Sequence, residues 1–151
     1  LYERGVGNLT PASAVTIASS SKWLSGAVIA ALVGDGTLRL DDPVARFVPD
    51  APPEKRAITV RELYAHTSGL PGGDEGGGGI DAGGCLADRG TTLAACAAEI
   101  LRLPLAAPPG TEMNYGGVSM QLAGRLAEVA AGRPWPALFD ERIRVPLGLS
   151  A

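Results

Sequence analysis

The sequence predicts a largely helical piece of an α+β fold whose sheet lies mostly outside it. Three observations lead there: several stretches carry apolar residues at helical spacing, Gly, Pro and hydroxyl residues punctuate those stretches where helices start and stop, and strand signals are confined to "SAVTI" near the start. At 151 residues, 46% apolar and 19% charged, the chain is long enough for one domain with a real core, and we read residues 1–151 as a single incomplete domain. The net charge of −3, without basic clusters or interleaved aromatics, argues against nucleic acid as a partner and leaves a small molecule or peptide. The apolar run 27–33 falls far short of the roughly 20 residues of a membrane-spanning helix, so no membrane-spanning segment is expected.

In chain order, Trp23, Leu24, Ala27, Val28, Ala31 and Leu32 recur at helical spacing, and Ile29, Ala30 and Val33 make the other face apolar too. That helix is expected to be mostly buried and to end at Gly34 and Gly36. "TLRLDDPV" reads as a short extended piece leading to Asp42 as N-cap, Pro43 at the first helical position and a brief helical turn to Phe47. In "ITVRELYAHTSGLPGG", Thr59 followed three residues later by Glu62 forms a capping box, and Gly69 and Pro71 mark the end of that helix. Thr92 is expected to cap a helix running to about Leu103. "LAAPPGTEMNYGG" reads as irregular. Met120, Leu122, Ala123, Leu126, Val129 and Ala130 share a helical face that ends at Gly132, and a last helix runs from Pro134 to about Ile143.

Eight glycines between Pro71 and Gly84 mark residues 71–90 as a Gly-rich surface loop, since no preceding strand or following Lys-Ser/Thr supports a phosphate cradle. Cys85 and Cys96, 11 residues apart, bracket a turn and a helix start. They are either a disulfide closing that loop or two small buried thiols, the disulfide slightly ahead, with an exported protein as its corollary. Two cysteines and the single His66 supply too few ligands for a metal, and no cofactor is implied.

The chemistry concentrates in "TIASSSKWLSG". Helical spacing of i and i+3 puts Ser19 and Lys22 on one face, about 5–6 Å apart at Cβ, so a hydroxyl and an amine can meet. A serine becomes a nucleophile when a base takes its proton, and a lysine becomes that base when its surroundings favour the neutral amine. Uncapped N–H groups at the same helix start could bind a developing oxyanion. Only two of the thirteen basic residues are lysines, Lys22 and Lys55, and an arginine at position 22 could not serve, because it does not deprotonate. The plain alternative is an N-cap serine cluster beside a solvated lysine.

"IASSSKWLSGAVIAALVGDGTLRLDDPVARFVPD", "ITVRELYAHTSGLPGG" and "PPGTEMNYGGVSMQLAGRLAEVAAGRPWPALFDERIRVPLGLS" together resemble, in order and spacing, the serine β-lactamase and penicillin-binding superfamily, nearest the class C β-lactamases with their related esterases and D-amino-acid peptidases. The resemblance covers nearly the whole chain. It implies a β-lactamase/transpeptidase-like fold, Ser19 as acylated nucleophile, Lys22 as its proton partner, and Tyr115 sharing the base role as the tyrosine of a Tyr-x-Asn motif. His66 falls in the family's "HTSGL" turn and is expected to be structural, its ring satisfying local backbone groups. Gly117 stands at the substrate-binding position where the motif has Asn, so ester or peptide hydrolysis is expected ahead of β-lactam turnover. A Lys- or His-x-Gly strand has no counterpart after Tyr115, and residues 1–151 alone are expected to be nearly inactive. Together with the Cys85/Cys96 pair, the resemblance implies an exported protein. The competing expectation is a non-catalytic module that binds peptidoglycan or D-amino-acid ligands, motivated by Gly117.

Overall fold

The computed structural model describes residues 4–72, 85, 88 and 90–149. Most of the Gly-rich stretch within residues 71–90 lies outside the described residues. A 3-10 turn, Ala18–Ser20, leads into helix α1, Ser21–Gly34. Then come α2, Val44–Phe47, a 3-10 turn at Pro53–Lys55, and α3, Val60–Tyr64. The second half holds α4, Leu93–Ile100, α5, Val118–Ala131, and α6, Trp135–Phe139, which continues into a π-helical turn, Asp140–Arg144.

Helix α5 is the hub, packing against α1, α2, α3, α4 and α6. Its buried stripe runs through Val118, Ser119, Leu122, Ala123, Leu126 and Ala127. Met120 and Val129, expected on that stripe, lie to its sides, and Val129 is exposed. Fully buried Val28, Leu32, Leu63, Leu122 and Leu126 interlock at the centre, each such burial contributing about 1.5–3 kcal/mol. Gly124 lets α4 approach closely, for a Cβ there would lie 3.1 Å from Leu93 Cδ1. Gly132, at φ +63°, terminates α5 in the left-handed conformation.

Local signals placed helix starts well and helix ends less well. The Thr59 cap is complete: its Oγ1 accepts from Glu62 N–H at 3.2 Å while Glu62 Oε2 accepts from Thr59 N–H at 2.8 Å. Thr92 Oγ1 accepts from Ala95 N–H at 3.1 Å, but α4 stops at Ile100. Helix α3 ends at Tyr64, well before Gly69, because His66 itself takes the left-handed turn, at φ +58°. The N-cap of α2 is Pro43 instead of Asp42, whose carboxylate accepts from Arg39 N–H at 2.8 Å and from the Arg46 guanidinium. The last helix covers the expected span, but only Trp135–Phe139 is α-helical and Asp140–Arg144 winds as a π-helical turn.

Two expectations fail for want of a neighbour. Ser13–Ile17 forms no strand. Among the described residues the sole ladder contact is an isolated antiparallel bridge between Pro43 and Thr59, and Val15 and Ile17 stand exposed. Helix α1 buries only Val28, Ile29 and Leu32, while Trp23 is 87% exposed, because α5, α6 and the π-helical turn cover one side of it alone. The cysteines are joined, Cys85 to Cys96.

Candidate active site

Ser19 sits in the 3-10 turn and Lys22 in the first turn of α1. Ala18, immediately before the serine, has φ +44°, a strained value for a residue with a side chain. The turn commits its own donors: Ser20 N–H bonds to Ile17 O at 2.9 Å, Ser21 N–H to Ala18 O, and Ser21 Oγ donates to Ala18 O at 2.6 Å. The expected supply of uncapped N–H groups at this helix start is therefore smaller than the sequence implies. Lys22 Nζ donates to Ser19 Oγ at 3.1 Å, so the two residues do meet across the turn.

Tyr115 reaches the same place from the opposite half of the chain. Residues 66–72 and 106–115 run against each other, joined by Asn114 N–H to His66 O at 2.8 Å, Gly110 N–H to Thr67 O at 2.7 Å and Ala106 N–H to Gly69 O at 2.8 Å. The approach is close enough to require glycine. Gly69 has φ +75°, and a Cβ on it would lie on top of the Ala107 carbonyl; a Cβ on Gly72 would come 2.7 Å from Tyr115 O. Below this contact the buried hydroxyls of Ser68 and Ser119 bond to each other at 2.9 Å, tying the segment to α5.

So held, the Tyr115 ring lies with its centroid 4.7 Å from Lys22 Nζ and 4.7 Å from the His66 ring, tilted by 51°. Hydrogen bonding with Ser19 and with Lys22, reinforced by the charge of Lys22, pulls the Tyr115 phenol below its ordinary range. Burial, and then the charge of Lys22, push His66 below its usual value of 6.5 and favour the neutral ring. The His66 ring does not satisfy local backbone groups as expected: Nδ1 is buried without a hydrogen-bond partner, and the backbone of this residue makes the local bonds instead. The ring packs beside Tyr115.

Three of the four candidate residues are thus brought together: Ser19, Lys22 and Tyr115. The fourth, Gly117, is the N-cap of α5. With Lys22 it borders a cleft of about 420 Å³, whose walls include Leu24, Met120, Gln121 and Trp135 but neither Ser19 nor Tyr115. Lys55, the other lysine, is buried in its 3-10 turn and paired with Glu54 at 2.8 Å. Sequence reasoning missed the packing of His66 on Tyr115 and a bond between Ser25 and Tyr64, two residues 39 positions apart. Among the described residues no cluster of three or more His, Cys, Asp or Glu side chains could hold a metal, and no helix is long and apolar enough to cross a membrane.

A family model described as Beta-lactamase matches residues 1–151. D-alanyl-D-alanine-carboxypeptidase/endopeptidase AmpH of Escherichia coli (strain K12) is 30% identical over 148 residues, covering 91% of this chain and 36% of that protein. Among solved structures, a candidate β-lactamase of Bacteroides dorei superposes with a TM-score of 0.84 at 38% identity, over 99% of this chain and 43% of that one. The D-amino acid amidase of Ochrobactrum anthropi SV3 superposes with a TM-score of 0.70 at 30% identity, over 89% and 39%. The chain spans less than half the length of each of these proteins.

Proposed function

The chain belongs to the β-lactamase family, within the serine β-lactamase and penicillin-binding superfamily of hydrolases, and from that premise we propose that it carries the acylation centre of a serine hydrolase. Ser19 is the nucleophile, Lys22 and Tyr115 share the base role, and Gly117 lines the substrate side. The observation that carries this reading is the 3.1 Å bond from Lys22 Nζ to Ser19 Oγ, with the Tyr115 ring 4.7 Å from the same nitrogen.

The reaction runs in two balanced halves. Ser19 Oγ adds to the carbonyl carbon of an ester or amide as its proton passes to the Lys22–Tyr115 pair. That proton then moves to the leaving oxygen or nitrogen as its bond to the acyl carbon breaks, which leaves an ester on Ser19. Water adds to this ester with its proton taken by the same pair, and returning that proton to Ser19 Oγ frees the acid. A phenol drawn below its ordinary range beside a lysine is suited to this traffic. The names of the E. coli and Ochrobactrum relatives make a D-aminoacyl amide or peptide the first substrate to test. Gly117 supplies no side-chain amide, which favours these substrates over β-lactams. The Cys85–Cys96 bond supports an exported protein, since disulfides persist in oxidising compartments.

The test is labelling of the intact protein by a fluorophosphonate or penicillin probe, with peptide mapping of the adduct. We expect the adduct on Ser19, none in Ser19→Ala, and labelling at least ~10²-fold slower in Lys22→Arg, because a guanidinium cannot accept the serine proton. An adduct on Ser20 or Ser21, or near wild-type labelling of Lys22→Arg, overturns the assignment.

A further inference from the structure

Lys22 has a serine three residues before it and another three residues after it, Ser19 and Ser25. Spacing alone does not choose between them. In an α-helix every Cα–Cβ bond tilts toward the N-terminus, so the Ser25 hydroxyl leans back over the turn that holds Lys22. Lys22 and Ser25 also border the same cleft. Yet Lys22 Nζ bonds to Ser19. The Ser25 Oγ is engaged elsewhere, 2.6 Å from the hydroxyl of Tyr64 at the end of α3. Tyr64 is half-buried, and burial pushes its phenol up to about 12, so it keeps its proton at neutral pH and the two hydroxyls can share a hydrogen bond.

Resting on the acylation reading above, we propose that Tyr64 is a positioning residue whose hydroxyl holds Ser25 away from Lys22, leaving the amine to Ser19. The contact joins α3 to α1 on the side of Lys22 opposite the 3-10 turn, and α3 runs on within two residues to His66 and thus to the Tyr115 ring. A freed Ser25 hydroxyl can rotate toward the lysine and compete with the nucleophile for it.

The experiment is a cycle of Tyr64→Phe, Ser25→Ala and the double variant in the intact protein, read as the rate of fluorophosphonate labelling and as melting temperature, with Ser19→Ala as control. Tyr64→Phe releases the rival serine and should label roughly 5- to 10-fold more slowly, the scale of one redistributed hydrogen bond. Ser25→Ala removes the rival and should label at close to the wild-type rate. The double variant should recover that rate, a rescue that a purely structural tie between α1 and α3 would not give. Wild-type labelling of Tyr64→Phe, equal slowing by Ser25→Ala, or a double variant slower than either single one overturns the proposal and leaves the acylation reading intact. If Tyr64→Phe does not fold, a fivefold loss in Ser25→Ala alone still overturns it. Labelling that survives Ser19→Ala sinks the acylation reading, and this proposal with it.

Discussion

The two halves of the candidate site are held by different means. Tyr115 comes from a segment locked by backbone bonds to residues 66–69, by two glycine contacts and by a buried serine pair, all leaning on the fully buried stripe of α5. Ser19 comes from a turn that contains no buried residue and whose own backbone bonds are short-range. The Tyr115 side is held in place by the core. The Ser19 side depends on local winding, and its exposed neighbours Ile17 and Trp23 add no core packing. Substitutions in the first half should therefore read out as stability, and in the second as rate.

The strongest challenge to that contrast is Gly69→Ala. A methyl group there meets the Ala107 carbonyl and forces a left-handed backbone on a residue with a side chain. We expect a loss of roughly 3–5 kcal/mol in denaturant unfolding, with labelling falling in parallel. A loss below about 1 kcal/mol would show that residues 66–72 are not pinned as described. Next, Ser119→Ala leaves the buried Ser68 hydroxyl with Leu70 N–H as its remaining partner and should cost about 1–3 kcal/mol, while Ser68→Ala combined with Ser119→Ala should cost less than the two singles added.

A smaller effect is carried by His66. Its folded value lies below 6.5, so the unfolded chain takes up the proton first as the solution is acidified. The stability this ring contributes is complete above about pH 6.5 and is lost as the pH falls through that value and then through the lower folded one. His66→Asn, which tolerates the left-handed backbone, should flatten this part of the melting-temperature profile; an unchanged slope refutes the linkage. The smallest effects belong to the turn that holds Ser19. Ser20→Ala and Ser21→Ala should each shift stability by no more than about 0.5 kcal/mol and leave the adduct on Ser19.

What was legible in the sequence follows the same division between local and distant causes. The Thr59–Glu62 box, the Thr92 cap and the Gly132 terminus are each written within about four residues of sequence and were found where expected. The Ser19–Lys22 pair is equally local, and Tyr115 was reachable through the family motif although nothing in its neighbours' spacing announces it. The end of α3 was not legible. A histidine takes the turn that glycine usually takes, because the pairing of residues 66–69 with 106–114 fixes its backbone from outside. The exposure of Trp23 was also hidden, since periodicity reports which residues are apolar but not whether another element arrives to cover them. Ser25 and Tyr64 show the same limit: their bond joins two helices, and neither residue's immediate sequence contains the other.

The 3-10 winding at Ala18–Ser20 changes what the letters Ser-x-x-Lys mean. Three steps along an α-helix rotate a side chain about 60° short of a full circle, whereas three steps along a 3-10 helix bring it back into eclipse. Ser19 and Lys22 straddle the junction of the two, so their alignment is a matter of helical phase as much as of residue identity. A chain that kept both residues but wound all four positions as continuous α-helix would leave them neighbours on one face, offset by about 60° from the eclipse of a 3-10 turn. A spectroscopic or crystallographic measure of winding at Ala18 would thus report on this centre even in a sequence whose tetrapeptide is unaltered.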